Sequence, residues 1–253
     1  MKLILLRHGM TKGNQEHRYV GTTDESILPS EKERLRTAPG KCNVNICEEK
    51  QDPGEGDESC ESDLRYESQD KVDKALELSR SIDGSSGNGM CSIYISPMRR
   101  CMETAESFFP EMISQGRYKI IHDFREMDFG AFEYKTYQEI NEDPNPEYRA
   151  AYQRYIDSNG ETAFPGGESK AEFTERVVRG FNSIAGDFLL SKRKSSTLIF
   201  VVHGGTIMAL LDRFSEPHKD YFEWSLKPGE GYETDIIVNQ QGDLKIINIK
   251  KIG

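Results

Sequence analysis

Residues 2–9 read KLILLRHG, four consecutive apolar side chains running straight into Arg7, His8 and Gly9. A strand with one wet face alternates polar and apolar residues. This one does not, so both of its faces expect cover, as in a parallel sheet flanked by helices. Three more runs share that character: 92–95 (SIYI), 118–121 (YKII) and 197–202 (TLIFVV). Helical patterns lie between them. Residues 71–81 carry Val72, Ala75, Leu76 and Leu78 at helical spacing, and 101–109 and 147–156 are shorter cases, the second entered just after Pro146. The longest, 168–190, sets Phe173, Val177, Phe181, Ile184 and Phe188 in one apolar stripe. Strand alternating with helix predicts an α/β fold, three-layer α/β/α with a mainly parallel central sheet. At 253 residues the chain is read as one domain, 1–253.

Two segments depart from this rhythm. Residues 38–70 are rich in Gly, Pro, Glu, Asp and Ser and nearly empty of large apolar side chains. Such a composition buries too little surface to offset its ordering entropy, so a flexible, exposed insertion is expected there. Near the C-terminus, 234–238 and 244–249 flank the turn NQQGD and read as an antiparallel hairpin at a sheet edge.

Composition narrows the function classes. A net charge of -10 repels phosphate backbones and anionic bilayers, so neither nucleic acid nor membrane is expected as a partner. No run approaches the roughly 18 apolar residues of a membrane span, and the apolar start is too short for a signal-peptide core. A cytoplasmic protein is expected. The five cysteines are an odd number in a long chain, which argues against a disulfide framework. Cys42, Cys47 and Cys60 lie close in sequence but lack the paired spacing of zinc ligands and have no histidine nearby, so no metal site is expected. Monomer and homodimer both stay open.

The residues just past each strand carry the chemistry. The first run ends in Arg7-His8-Gly9, the second in Ser96-Pro97-Met98-Arg99-Arg100, the third in Phe124-Arg125-Glu126, and the fourth in His203-Gly204-Gly205. Ligands of open parallel sheets bind beyond the carboxyl ends of the strands. Two histidines, several arginines and a glutamate are therefore delivered to one edge. Arginine offers a planar fork to phosphate, which makes Arg7 and Arg100 the natural clamps; Arg99, adjacent to Arg100, is read as a solvated charge. Gly204 and Gly205 precede an apolar helix, 207–211, whose N-terminus would favour an anion. His17, His122 and His218 are read as surface or structural residues, and GGES at 166–169 as a turn with a helix cap.

The segments LLRHGMTKGN, SPMRRCMETAE, REMDFGAFE, FPGGES and VVHGGTIMALL resemble, in order, the motifs of the histidine phosphatase superfamily, the phosphoglycerate-mutase-like fold. RHGMTKGN, HRYVGTTD and PGGES are most similar to its alpha-ribazole phosphatase branch. The residues alone do not tell the two histidines apart. The resemblance implies that His8 is a nucleophile forming a phosphohistidine and that His203 donates to the transferred phosphoryl oxygens. It also implies a phosphatase acting on a small phosphorylated metabolite, with no cofactor and no metal. Glu126 is the general acid by its spacing before Phe129-Gly130, ahead of Asp128 and Glu133. Asn14, Gly21 and Thr22 are expected to complete the phosphate pocket, with Gly204 beside it and Arg18 nearer the mouth. Residues 133–164 are expected to form a cap. Met10 stands where many members carry an acidic residue, and 28–32 lacks the family's usual glycine.

Two other functions are weighed. A phosphoglycerate mutase would need an extra basic cluster after the acid motif, and 142–162 offers only Arg149 and Arg154 among acidic residues. A non-catalytic phosphate-binding module would be expected to have lost part of the constellation.

Overall fold

A computed structural model of the chain describes residues 1–37, 91–190 and 197–253. The expected insertion at 38–70, its three cysteines and the helix at 71–81 lie outside the described residues. Six strands among the described residues, β1 (Lys2–Arg7), β2 (Cys91–Ile95), β3 (Tyr118–Ile120), β4 (Thr197–Val202), β5 (Gly231–Val238) and β6 (Leu244–Ile252), form one sheet in the order β3-β2-β4-β1-β5-β6. Neighbours from β3 to β1 are parallel, whereas β5 and β6 join antiparallel beyond β1. The fold is thus α/β with a mainly parallel sheet. The C-terminal hairpin is longer than expected, and β6 forms the edge.

Side chains of a strand point alternately to opposite faces, and the two cores follow that alternation. Leu3, Leu5, Leu198, Phe200 and Val202 enter one apolar cluster; Ile4, Leu6, Ile199, Val201, Ile93 and Ile95 enter another. An unbroken apolar run is what a strand covered on both faces requires. One correction applies to β3. It is three residues long, pairs among the described residues only with β2, and leaves Lys119 and Ile120 exposed, so the expected cover on both faces is not there. A short strand at the end of a sheet has little helix lying over it.

The helices among the described residues are α1 (Lys12–Gln15), α2 (Pro29–Thr37), α3 (Arg99–Phe108), α4 (Pro110–Ser114), α5 (Tyr137–Asn141), α6 (Pro146–Asp157), α7 (Lys170–Leu190) and α8 (Gly204–Phe214). Three starts differ from the sequence expectation. α3 opens at Arg99 after the extended Met98, which puts Arg100 in its first turn. α8 opens at Gly204, directly behind His203, three residues earlier than the apolar pattern implied. α7 opens at Lys170, because Ser169 and Glu172 exchange hydrogen bonds as a capping box. α6 starts at Pro146, with the Asn145 side chain accepting from the Glu147 N–H.

The α7 stripe of Phe173, Val177, Phe181 and Ile184 is buried as expected. Phe181 has no exposed surface and meets Phe214 at 4.8 Å and Phe200 at 6.1 Å between ring centroids. Among the described residues, no helix is long and apolar enough to cross a membrane. Replacing Phe181 with alanine empties a site shared by helix and sheet and should cost about 3–5 kcal/mol. Urea unfolding should show this as a lower midpoint at unchanged slope.

Candidate active site

The three central parallel strands end level. Ile95 pairs with Val201 and Arg7 with Val202, while the His8 and Ser96 amides donate to the Val202 and Val201 carbonyls at 2.9 and 3.1 Å. This register sets His8 beside His203, their ring centroids 5.2 Å apart at 65°. Ser96 closes the group, its Oγ 2.7 Å from His203 Nε2.

His8 is buried, at 3% exposure. Its Nδ1 lies 2.8 Å from the Gly9 carbonyl, which can only accept, so Nδ1 carries the proton and Nε2 keeps a lone pair. Burial, and then the charges of Arg100 and Arg7, hold its pKa well below the usual histidine range. The ring is therefore neutral near pH 7.

His203 is fully buried and likewise held neutral, by burial first and by Arg100 next. Arg100 Nε donates to its Nδ1 at 3.3 Å, which leaves Nε2 to donate to Ser96. Both nitrogens thus have protein partners. The ring links an arginine to a serine, and Nε2, the nitrogen expected to donate to phosphoryl oxygens, is bonded here to Ser96 Oγ. Behind it lies the buried thiol of Cys101, raised to about 12 by burial.

Arg100 is also fully buried. Besides the bond to His203 it donates to the carbonyls of Thr23 (2.8 Å), Gly21 (3.0 Å) and Val20 (3.4 Å). A guanidinium has five N–H groups, so Arg100 is less open to a ligand than an unoccupied clamp would be. Arg7 is the freer of the two. One Nη donates to the Leu226 carbonyl and the group packs against Gly204, yet its buried Nε has no partner among the described residues. Asn14, on α1, also has a buried unpartnered amide oxygen, and turning its amide over would present the NH2 there instead.

Glu126 completes the group. Its carboxyl accepts from the Met127 amide at 3.0 Å and from the Gly205 amide, in the first turn of α8, at 3.3 Å. A Cβ at residue 205 would stand 2.4 Å from Glu126 Oε1 and would push that carboxyl out of its place. Burial raises the Glu126 pKa; the two amides and the charges of Arg100 and Arg7 pull against that without cancelling it.

Gly21 lies against the Met127 carbonyl, which would be 2.0 Å from a Cβ. Thr22 is exposed; the contacts of this loop are made by Gly21 and Thr23, whose amides both donate to Glu133 Oε1 at 2.9 Å. Glu133, weighed only as a rival acid, instead pins the loop whose carbonyls hold Arg100. Arg18 is ion-paired with Glu16 and Glu139, outside this cluster. Arg99 is largely exposed and pairs with Glu103; His17, His122 and His218 are exposed. No group of side chains able to hold a metal occurs among the described residues.

Sequence reasoning missed Ser96, Thr23 and Thr104. The last accepts from the Gly9 amide at 2.9 Å and donates to the Arg100 carbonyl at 2.7 Å, tying α3 to the loop after β1. Glu168 of GGES bonds the Asp128 amide at 3.0 Å and the buried Arg176.

Comparison with known proteins sets this arrangement in context. Among solved structures, the chain is similar to the alpha-ribazole phosphatase from Shigella flexneri (18% identity, TM-score 0.63, covering 97% of this chain and 94% of that one). It also resembles mycobacterial hydrolase 1 (16%, 0.64, 98% and 96%) and the phosphoglycerate mutase from Thermus thermophilus (20%, 0.53, 100% and 99%). At such identities the likeness is one of fold. No curated protein sequence matches. The model of the histidine phosphatase superfamily (branch 1) matches residues 75–239, well over half of the chain. The chain therefore belongs to the histidine phosphatase superfamily, branch 1.

Proposed function

We propose that the chain hydrolyses a small phosphate monoester through a phosphohistidine on His8. The observation that carries this reading is the neutral His8 ring, fixed by the Gly9 carbonyl so that Nε2 is free, beside two guanidiniums and a carboxyl of raised pKa. In the first half, His8 Nε2 attacks phosphorus, the ester P–O bond breaks, and the leaving oxygen takes the proton of Glu126. In the second, water attacks the phosphohistidine, Glu126 takes its proton, and phosphate departs from Nε2. Charge on the transferred group is balanced by Arg7, whose Nε has no partner among the described residues, and by Arg100. In this reading His203 donates from Nε2 to the transferred phosphoryl oxygens, while its Nδ1 accepts from Arg100 Nε. Asn14, Gly21, Thr22 and Gly204 complete the phosphate surround in this reading.

Alpha-ribazole 5′-phosphate is the substrate we favour, on the resemblance of RHGMTKGN, HRYVGTTD and PGGES. Mutase chemistry is disfavoured because Arg149 and Arg154 are both exposed on α6 and form no basic cluster. With 3-phosphoglycerate, free phosphate should outrun isomerised product; the reverse would replace the reading with a mutase.

His8→Ala should lower kcat on an aryl phosphate by on the order of 10⁴–10⁶, and undiminished turnover would sink the mechanism. Activity should survive EDTA. The pH dependence follows from the two shifts. Neutral His8 is required, so kcat/KM rises as pH climbs through its lowered pKa and has levelled off before neutrality. Protonated Glu126 is required, so kcat/KM falls as pH climbs past its raised pKa. Glu126→Gln should remove that alkaline limb and cost roughly 10²–10⁴ in rate on poor leaving groups.

A further inference from the structure

Glu126 stands on a segment without regular structure, between single 3-10 turns at His122–Phe124 and Gly130–Phe132. Something else must hold its backbone. Arg176 projects from α7 and is buried, at 5% exposure. Its guanidinium donates to the carbonyls of Asp123 at 2.9 Å, Arg125 at 3.0 Å and Glu126 itself at 3.3 Å. The same group is gripped side-on by Glu168, Nε to Oε1 at 2.8 Å and Nη2 to Oε2 at 2.6 Å. Glu168 in turn accepts from the Asp128 amide, while its own amide donates to the Asp128 carbonyl at 2.9 Å. Both ends of 123–128 are thereby stapled. Helix and segment are also in tight contact, since a Cβ on Gly180 would come within 2.8 Å of the Asp123 side chain.

The chemistry explains the choice of residue. A planar fork can serve three carbonyls and a carboxylate at once, which an ammonium cannot. α7 makes a rigid platform, because Phe173, Val177 and Phe181 on either side of Arg176 are fully buried. Glu126 is then fixed at its backbone by Arg176 and at its carboxyl by the Met127 and Gly205 amides.

We infer that Arg176, clamped by Glu168, is the positioning residue that sets Glu126 against the leaving oxygen, an inference that rests on the phosphatase reading above. Protonation matters most when the leaving group is poor. A misplaced acid should therefore slow phosphorylation of His8 by phenyl phosphate while sparing phosphorylation by 2,4-dinitrophenyl phosphate, whose phenolate departs without a proton. General loosening of the site would slow both alike.

The test measures kcat and KM on these two esters, and inhibition by orthophosphate, for the full-length wild type, Glu126→Gln, Arg176→Met and Arg176→Lys, with folding followed by circular dichroism. Arg176→Met should lose roughly 10²-fold in kcat/KM on phenyl phosphate, which reports the phosphorylation half alone, with kcat/KM on the dinitrophenyl ester and orthophosphate inhibition nearly unchanged; kcat on both esters carries the shared hydrolysis of the phosphohistidine. Arg176→Lys keeps the buried charge but not the fork, and should show the same selectivity; it decides the matter if the methionine variant does not fold. Equal loss of kcat/KM on both esters, or no loss in a folded variant, overturns the inference. Selective loss in Glu126→Gln but not in the Arg176 variants sinks this inference alone. No selectivity in Glu126→Gln removes the acid assignment itself.

Discussion

The level ending of β2, β4 and β1 is the constraint on which the site depends. Because Ile95, Val201 and Val202 stand opposite one another or opposite Arg7, the residues just past the strands have no choice of neighbour. Two imidazoles, a serine and two arginines are packed together there. Four basic groups could not share that space if all were charged. Burial resolves the conflict by keeping both imidazoles neutral, so the charge resides on the guanidiniums.

The sheet divides the supporting structure between its faces. On one side Cys101, Ala105 and Phe108 of α3 pack with Ile4 and Ile199, and from that helix Arg100 and Thr104 brace the loops after β1 and around residues 20–23. On the other, α7 and α8 pack with Leu5 and Phe200 and supply the supports of Glu126. The cationic half and the acidic half of the site are thus built on separate cores.

Much of this was legible in the sequence. The apolar runs at 2–6 and 197–202 read as strands with two dry faces, and the residues after them as gathered at one edge. The edge position of β3 was not legible, since YKII reads the same whether or not a helix covers it. Nor were Ser96, Thr23 and Thr104, because a lone serine or threonine carries no period or motif. Their partners are 107, 77 and 95 positions away. Glu168 showed its capping context but not its bond to Arg176, which exists only once α7 lies against 123–128. The start of α8 was hidden by Gly204 and Gly205, which read as loop until His203 is seen to occupy the N-cap.

The bonds of Arg100 to three carbonyls of the loop at 20–23 have a consequence for the history of the protein. A residue that both charges a pocket and laces its wall cannot be exchanged gradually. Lysine would preserve the charge but let the loop drop, and an uncharged side chain would leave bare carbonyls in the interior. Drift at position 100 is therefore closed in every direction. Novelty in ligand choice has to arise in the outer segments, whose side chains carry no such double duty.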